Sequence, residues 1–229
     1  MNINLNLNKI NNMKSLNEYI TEKLKVSKKQ YNYYPKTREE LDDLLDQLLK
    51  ERGWEADLND IDTSNITDME GLFTSYRNLL YKFKYNKNYN FSKFNGDISD
   101  WDVSNVTNMN SMFYWCESFE GKGLENWDVS KVTNMRYMFC SCKKLDCNLS
   151  KWDVSTLESA DSMFNGCNNF EGKGLENWDV SNVIYMSLMF YNCKKFNTDI
   201  SGWDVSNVRY YGDIFYKCPI KNKYKPKFG

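Results

Sequence analysis

The chain has 229 residues, with 30 basic against 31 acidic side chains and a net charge of −1, and it contains no histidine. The charge balance gives no reason to expect nucleic acid or an anionic membrane as partner, and with a mean hydropathy of −0.71 and no long apolar run, no membrane span is expected. Without histidine the usual general base, the commonest metal ligand and every Ser–His or Cys–His arrangement are missing, so no enzyme, cofactor or metal site is expected.

Residues 1–36 read as an N-terminal extension. The Asn-rich start, 1–12, has no continuous apolar segment and no cleavage site, so it does not read as a secretory signal. No cysteine lies near it to take a lipid. An intracellular or virion-associated protein is therefore expected. Ser15 to Val26 forms an amphipathic helix with Leu16, Tyr19, Ile20 and Leu24 on one face. Its opening, KSLNEYITEKL, resembles N-terminal segments of some phage proteins, which raises a viral origin. Lys28 to Pro35 is basic and tyrosine-rich; it reads as a solvated linker, with a nucleic-acid contact as the alternative. Residues 37–57 form a helical cap. There Thr37 and Glu40 make a capping box, Leu41, Leu44, Leu45, Leu48 and Leu49 make the apolar stripe, and Gly53 ends the helix.

Residues 58–218 are repetitive. WDVSNVTNMNSMFYWC begins at Trp101, and related stretches begin at Trp127, Trp152, Trp178 and Trp203, in steps of 26, 25, 26 and 25 residues. A degenerate first copy starts at Ile61. Such a period marks stacked repeats that bury a common core. Trp101 and Val103 alternate with Asp102 as in a strand, and Met109, Met112, Phe113 and Cys116 fall at i, i+3, i+4 and i+7, as on one face of a short helix. The expected fold is α/β: a leucine-rich-repeat-like solenoid of about six strand-turn-helix coils of 25–26 residues, with an N-terminal helical cap. Residues 219–229 form a polar tail.

The pattern W-D-V-S-x-V-x-x-M-x-x-M-F-x-x-C, nearly whole in Trp101–Cys116 and Trp127–Cys142, resembles the BspA-like leucine-rich repeat family. Within that family it is most similar to the 25-residue branch of mycoplasma-type lipoproteins, called the PARCEL repeat. The resemblance implies a leucine-rich-repeat-like fold and a binding role. Its members are commonly surface-anchored, which this sequence does not reproduce.

Five of the seven cysteines share one column: Cys116, Cys142, Cys167, Cys193 and Cys218. They read as small buried fillers, with disulfides along the column as the alternative. A zinc reading of Cys140, Cys142 and Cys147 lacks a fourth ligand. Asp102, Asp128, Asp153, Asp179 and Asp204 form a polar column on the exposed face. Such carboxylates can close Asx turns, attract a basic partner or hold calcium. Between the first two copies lies an insertion, 75–93, in which Arg77, Lys82 and Lys84 stand among Tyr81, Phe83, Tyr85 and Tyr89. It is a passive loop or a contact loop; interfaces favour tyrosine and arginine as anchors. The expectation is a monomeric, non-catalytic protein–protein interaction scaffold that uses the insertion first and the Asp column second. A structural or accessory part of a virus particle is the alternative.

Overall fold

Between Met109 and Cys116 the main-chain amides divide into two sets. The N–H groups of Met109, Ser111, Phe113 and Trp115 donate to the carbonyls of Asn134, Arg136, Met138 and Cys140 in the next repeat, at 2.7–2.9 Å. Those of Met112, Tyr114 and Cys116 instead donate three residues back, to Met109, Ser111 and Phe113. The result is two consecutive four-residue turns. The third residue of each is left-handed, at φ 57° for Ser111 and 64° for Trp115, as in a type II turn.

This division recurs along the chain. The computed structural model describes residues 30–75 and 91–229. The chain divides into units 1–32 and 33–229, and the repeats lie in the second. In it the turn pairs form six rungs: 68–75, 108–115, 134–141, 159–166, 185–192 and 210–217. At each of the five interfaces, four N–H groups of the earlier rung donate to four carbonyls of the later one. Only the first residue of each rung registers as a parallel β-bridge, from Asp68↔Asn108 to Tyr185↔Tyr210. All nine left-handed residues other than glycine, among those described, fall at two rung positions: the column Ser111, Tyr137, Ser162, Leu188, Asp213 and the column Trp115, Ser141, Asn192, Lys217. Gly71 and Gly166 occupy the same columns.

This arrangement corrects the expected α/β fold. Among the described residues there is no sheet, and every β-bridge is isolated. The one α-helix among the described residues, here α1, spans Arg38–Arg52, and the other helical pieces described are three-residue 3₁₀ turns. No strand forms at Trp101–Val103 because the ends of that stretch bond locally: Trp101 N–H donates to Ile98, and the Val103 carbonyl accepts from Val106. No helix forms over Met109–Cys116 because alternate amides are directed at the next rung. The chain is therefore not a leucine-rich-repeat-like solenoid of strand-turn-helix coils.

The core is a set of side-chain columns. Phe73, Phe113, Phe139, Phe164, Phe190 and Phe215 stack at 5.4–5.9 Å between ring centres. Phe94, Phe119, Phe170 and Phe196 lie against four of them at 4.0–4.3 Å. Rings stacked in this way add to the stabilisation gained from area burial alone. The five tryptophans that open the repeats are buried, and each indole N–H donates backwards along the stack: Trp101 to the Leu58 carbonyl, Trp127 to Ile98, Trp152 to Leu124, Trp178 to Leu149 and Trp203 to Leu175, at 2.7–3.1 Å. A buried indole needs such a partner.

Helix α1 has the ends its sequence dictates. Thr37 Oγ accepts from Glu40 N–H, Glu40 reaches the N–H of Lys36, and Gly53 at φ 87° closes the last turn on the Leu49 carbonyl. Leu41, Leu45, Leu48 and Leu49 are buried, with Leu44 partly so. The helix lies at the first rung, where Arg38 donates to the Glu70 carbonyl at 2.6 Å. Arg52 grips Asp60 with both terminal nitrogens, at 2.9 and 3.0 Å.

Three outcomes follow for denaturant unfolding. Trp152→Ala should cost about 3–5 kcal/mol, since it opens a cavity and removes one of the two bonds to the Leu124 carbonyl, leaving only that from Trp127 N–H. Asp153→Ala should cost about 1 kcal/mol, the worth of one local capping bond. Gly166→Ala should lose about 1 kcal/mol, because a Cβ is strained at φ 75°, as expected for the left-handed region. Its nearest neighbour is only the Ser141 hydroxyl, at 3.3 Å.

Candidate binding site

Asp102, Asp128, Asp153, Asp179 and Asp204 stand in one exposed column, and the structure gives each a local task. Their Oδ1 atoms accept the backbone N–H two residues on, from Ser104, Ser130, Ser155, Ser181 and Ser206, at 3.0–3.1 Å. Ser104 and Ser130 add a hydroxyl bond at 2.7 Å. These are Asx turns. The Ser130 and Ser155 bonds hold Asp128 and Asp153 below the ordinary carboxylate range, and for Asp153 the charge of Asp128 pushes weakly the other way. The backbone N–H of Ser206 does the same for Asp204. Among the described residues no group of three or more Cys, Asp or Glu could hold a metal ion.

A stronger carboxylate site was not foreseen. Asp97 accepts from the Asn59 amide at 2.9 Å and from Ser99 N–H at 3.0 Å, with the Lys122 ammonium 3.7 Å away. The Asn59 bond, against the opposing cost of burial, leads in bringing its pKa down to about 2. Asn59 also accepts from Asp100 N–H, so this cluster ties the segment after α1 to the coil that precedes Trp101.

The thiols are all unbridged. In the main column Cys116, Cys142, Cys167 and Cys193 donate to the carbonyls of Phe73, Phe113, Phe139 and Phe164, at 2.9–3.1 Å. Burial pushes these four far above the ordinary thiol range. Cys140 is raised to about 11 and Cys147 to about 12 by the same cause. A group held as a neutral thiol is neither a nucleophile nor a metal ligand.

Of the insertion residues, Arg77, Tyr81, Lys82, Phe83, Lys84, Tyr85 and Tyr89 lie outside the described residues, as does the helix expected at Ser15–Val26. The ends of the 75–93 stretch belong to the fold. Ser75 N–H donates to the Tyr114 carbonyl, and Phe91 is fully buried against Phe73 and Trp54.

The structure brings forward a surface that the sequence reading passed over. On the outer side of the last two rungs Tyr185 stacks on Tyr210 at 5.0 Å and Tyr191 on Tyr216 at 5.2 Å. Tyr185, Tyr210 and Tyr216 are 42%, 56% and 50% exposed. Lys217 places its ammonium over the Tyr216 ring. The two columns could have been found in the sequence, because Tyr185 and Tyr210 sit seven residues after their tryptophans, and Tyr191 and Tyr216 thirteen after.

A family model described as "Mycoplasma protein of unknown function, DUF285" matches residues 39–172 and again 116–227. No curated protein and no solved structure matches. No helix among the described residues is long and apolar enough to cross a membrane.

Two measurements check the site geometry. The Asp97 carboxyl is depressed from 3.8 to about 2, so its stabilising share is whole above its unfolded value and is lost as pH falls towards 2. Asp97→Asn should therefore flatten the acid limb of the stability curve over that window and leave neutral-pH behaviour of other carboxylates alone. With a thiol reagent under native conditions, half-buried Cys218 should react first. Cys116, Cys142, Cys167 and Cys193 should react only at the rate of global unfolding.

Proposed function

We infer that this chain, which belongs to the DUF285 family, is a non-catalytic repeat protein that binds another protein through the tyrosine-bearing face of its last two rungs. The single observation that carries the reading is the exposure of paired, stacked tyrosines on a backbone fixed by four hydrogen bonds per interface. Tyrosine supplies large contact area at low entropic cost, and the ladder holds it in place before any partner arrives, which lowers the ordering cost of association. The chemistry of the remaining groups agrees. The sequence has no histidine, the column thiols are held protonated, and the carboxylates of the Asp column serve their own turns. In this reading the Asp column contributes at most long-range attraction for a basic partner, and the scaffold acts as a monomer.

The test is capture of a partner from native lysate with the full chain, against a Tyr185→Ser/Tyr191→Ser variant. The wild type should retain a saturable protein partner, and the variant should lose at least tenfold in retention, roughly the worth of one aromatic anchor, with a melting temperature within a few degrees. No saturable partner, or equal retention by the variant, overturns the reading.

A further inference from the structure

The rung 210–217 is built like the five before it, and no rung follows it among the described residues. In every inner rung four alternate N–H groups donate onward. Their equivalents here are those of Tyr211, Asp213, Phe215 and Lys217, and none of them donates to an acceptor among the described residues. The even set is satisfied as elsewhere, with Ile214, Tyr216 and Cys218 donating three residues back. Among the described residues this rung therefore presents a row of four donors, with no matching acceptors between them. The tail comes close without filling this row. Ile200 N–H donates to the Tyr224 carbonyl, Phe228 stacks on Tyr211 at 4.4 Å, and Lys225 lies over the Phe215 ring.

Polarity restricts what can add to this end. Two copies meeting end to end here would set donors against donors. A copy arriving by its first rung would bring carbonyls, but α1 lies there and Arg38 already occupies the Glu70 carbonyl. Charge restricts it further. From Arg209 onward there are six basic side chains, Arg209, Lys217, Lys221, Lys223, Lys225 and Lys227, against Asp213 alone, so the preceding 208 residues carry a net −6. A donor row in a positive surround favours an anionic, acceptor-bearing partner.

We propose that rung 210–217 is the docking edge for an acidic segment of another protein chain, which adds its backbone as a seventh rung. This rests on the binding role inferred above and names the partner's chemistry. The mode is strand addition in the general sense, where main-chain bonds supply affinity and side chains supply selectivity. The shape is that of a turn rung rather than a straight strand. The segment must present alternate carbonyls and tolerate left-handed backbone at two positions four residues apart, which suits glycine, asparagine or aspartate.

The probe is a synthetic peptide with the sequence of residues 156–166, TLESADSMFNG, which carries two acids and no base and takes the rung shape within this chain. It is titrated into the ¹⁵N-labelled full chain. The amide signals of Tyr211, Asp213, Phe215 and Lys217 should shift saturably and gain exchange protection, while those of inner rungs hold still. Replacing both peptide acids by lysine should weaken binding at least tenfold, as should Lys221→Gln, Lys223→Gln, Lys225→Gln and Lys227→Gln combined in the protein. Absence of saturable binding, shifts confined to inner rungs, or indifference to charge reversal overturns the proposal. So does tighter binding of a short single-stranded oligonucleotide at the same amides, or concentration-dependent self-association in sedimentation that the peptide abolishes. The two readings fail separately. If the lysine variant still retains the lysate partner and the Tyr185/Tyr191 variant loses it, the edge proposal falls and the binding role stands.

Discussion

The alternation of backbone donors, one across to the next rung and one back along its own turn, is the constraint on which everything else in this protein hangs. It leaves no freedom of register, because a rung displaced by one residue would present the wrong set of amides. Once register is fixed, equivalent side chains must lie on top of one another, and the phenylalanine, tryptophan and cysteine columns follow. Each bond is modest on its own, about 0.5–1.5 kcal/mol net. The stacked rings and the backward bonds of the indoles and thiols make each interface strong enough for a narrow stack in which every repeat touches only its neighbours. The two kinds of bond run in opposite directions: rung amides reach forward, and tryptophan and cysteine reach back.

Much of this was legible in the sequence and one part was misleading. Helix α1 could be read residue by residue, because Thr37, Glu40 and Gly53 act locally and need no tertiary context. The buried positions were also legible: Met109, Met112, Phe113 and Cys116 are all fully buried. The error lay in the period. Two consecutive four-residue turns bury their first and last residues and so give i, i+3, i+4 and i+7, the same set a helix gives over two turns. What separates the two is the backbone sign at Ser111 and Trp115. A tryptophan, a tyrosine at 137 and a leucine at 188 give no hint of a left-handed conformation, since they adopt it only because the neighbouring rung enforces it. Gly71, Gly166 and Asn192 were the available clues.

The functional surfaces divide similarly. The Asp column was found from its spacing, and its Asx-turn role was among the alternatives, since the serine two residues on is visible beside each aspartate. Asp97 escaped notice because its partner Asn59 is 38 residues away. The tyrosine face was missed because neither column runs through the earlier copies: Asn108, Asn134 and Ser159 stand where Tyr185 and Tyr210 do, and between Tyr114 and Tyr191 the other column holds Cys140 and Asn165.

The donor alternation also limits how such a chain can change over time. From Val106 to Cys116 every N–H except that of Asn108 donates to some acceptor, so an imino acid would cost a bond at each of the other positions, and the three prolines, Pro35, Pro219 and Pro226, all lie outside the rungs. An extra residue inside a rung would exchange the forward and backward sets and break both neighbouring interfaces at once. Length drift is thus confined to the connector between each column cysteine and the next tryptophan. There the spacing indeed varies, 11 residues from Cys116 to Trp127 and from Cys167 to Trp178, and 10 from Cys142 to Trp152 and from Cys193 to Trp203. The repeat behaves like a fixed-width type block with an adjustable spacer, and whole-block duplication is the change it accommodates with least disturbance.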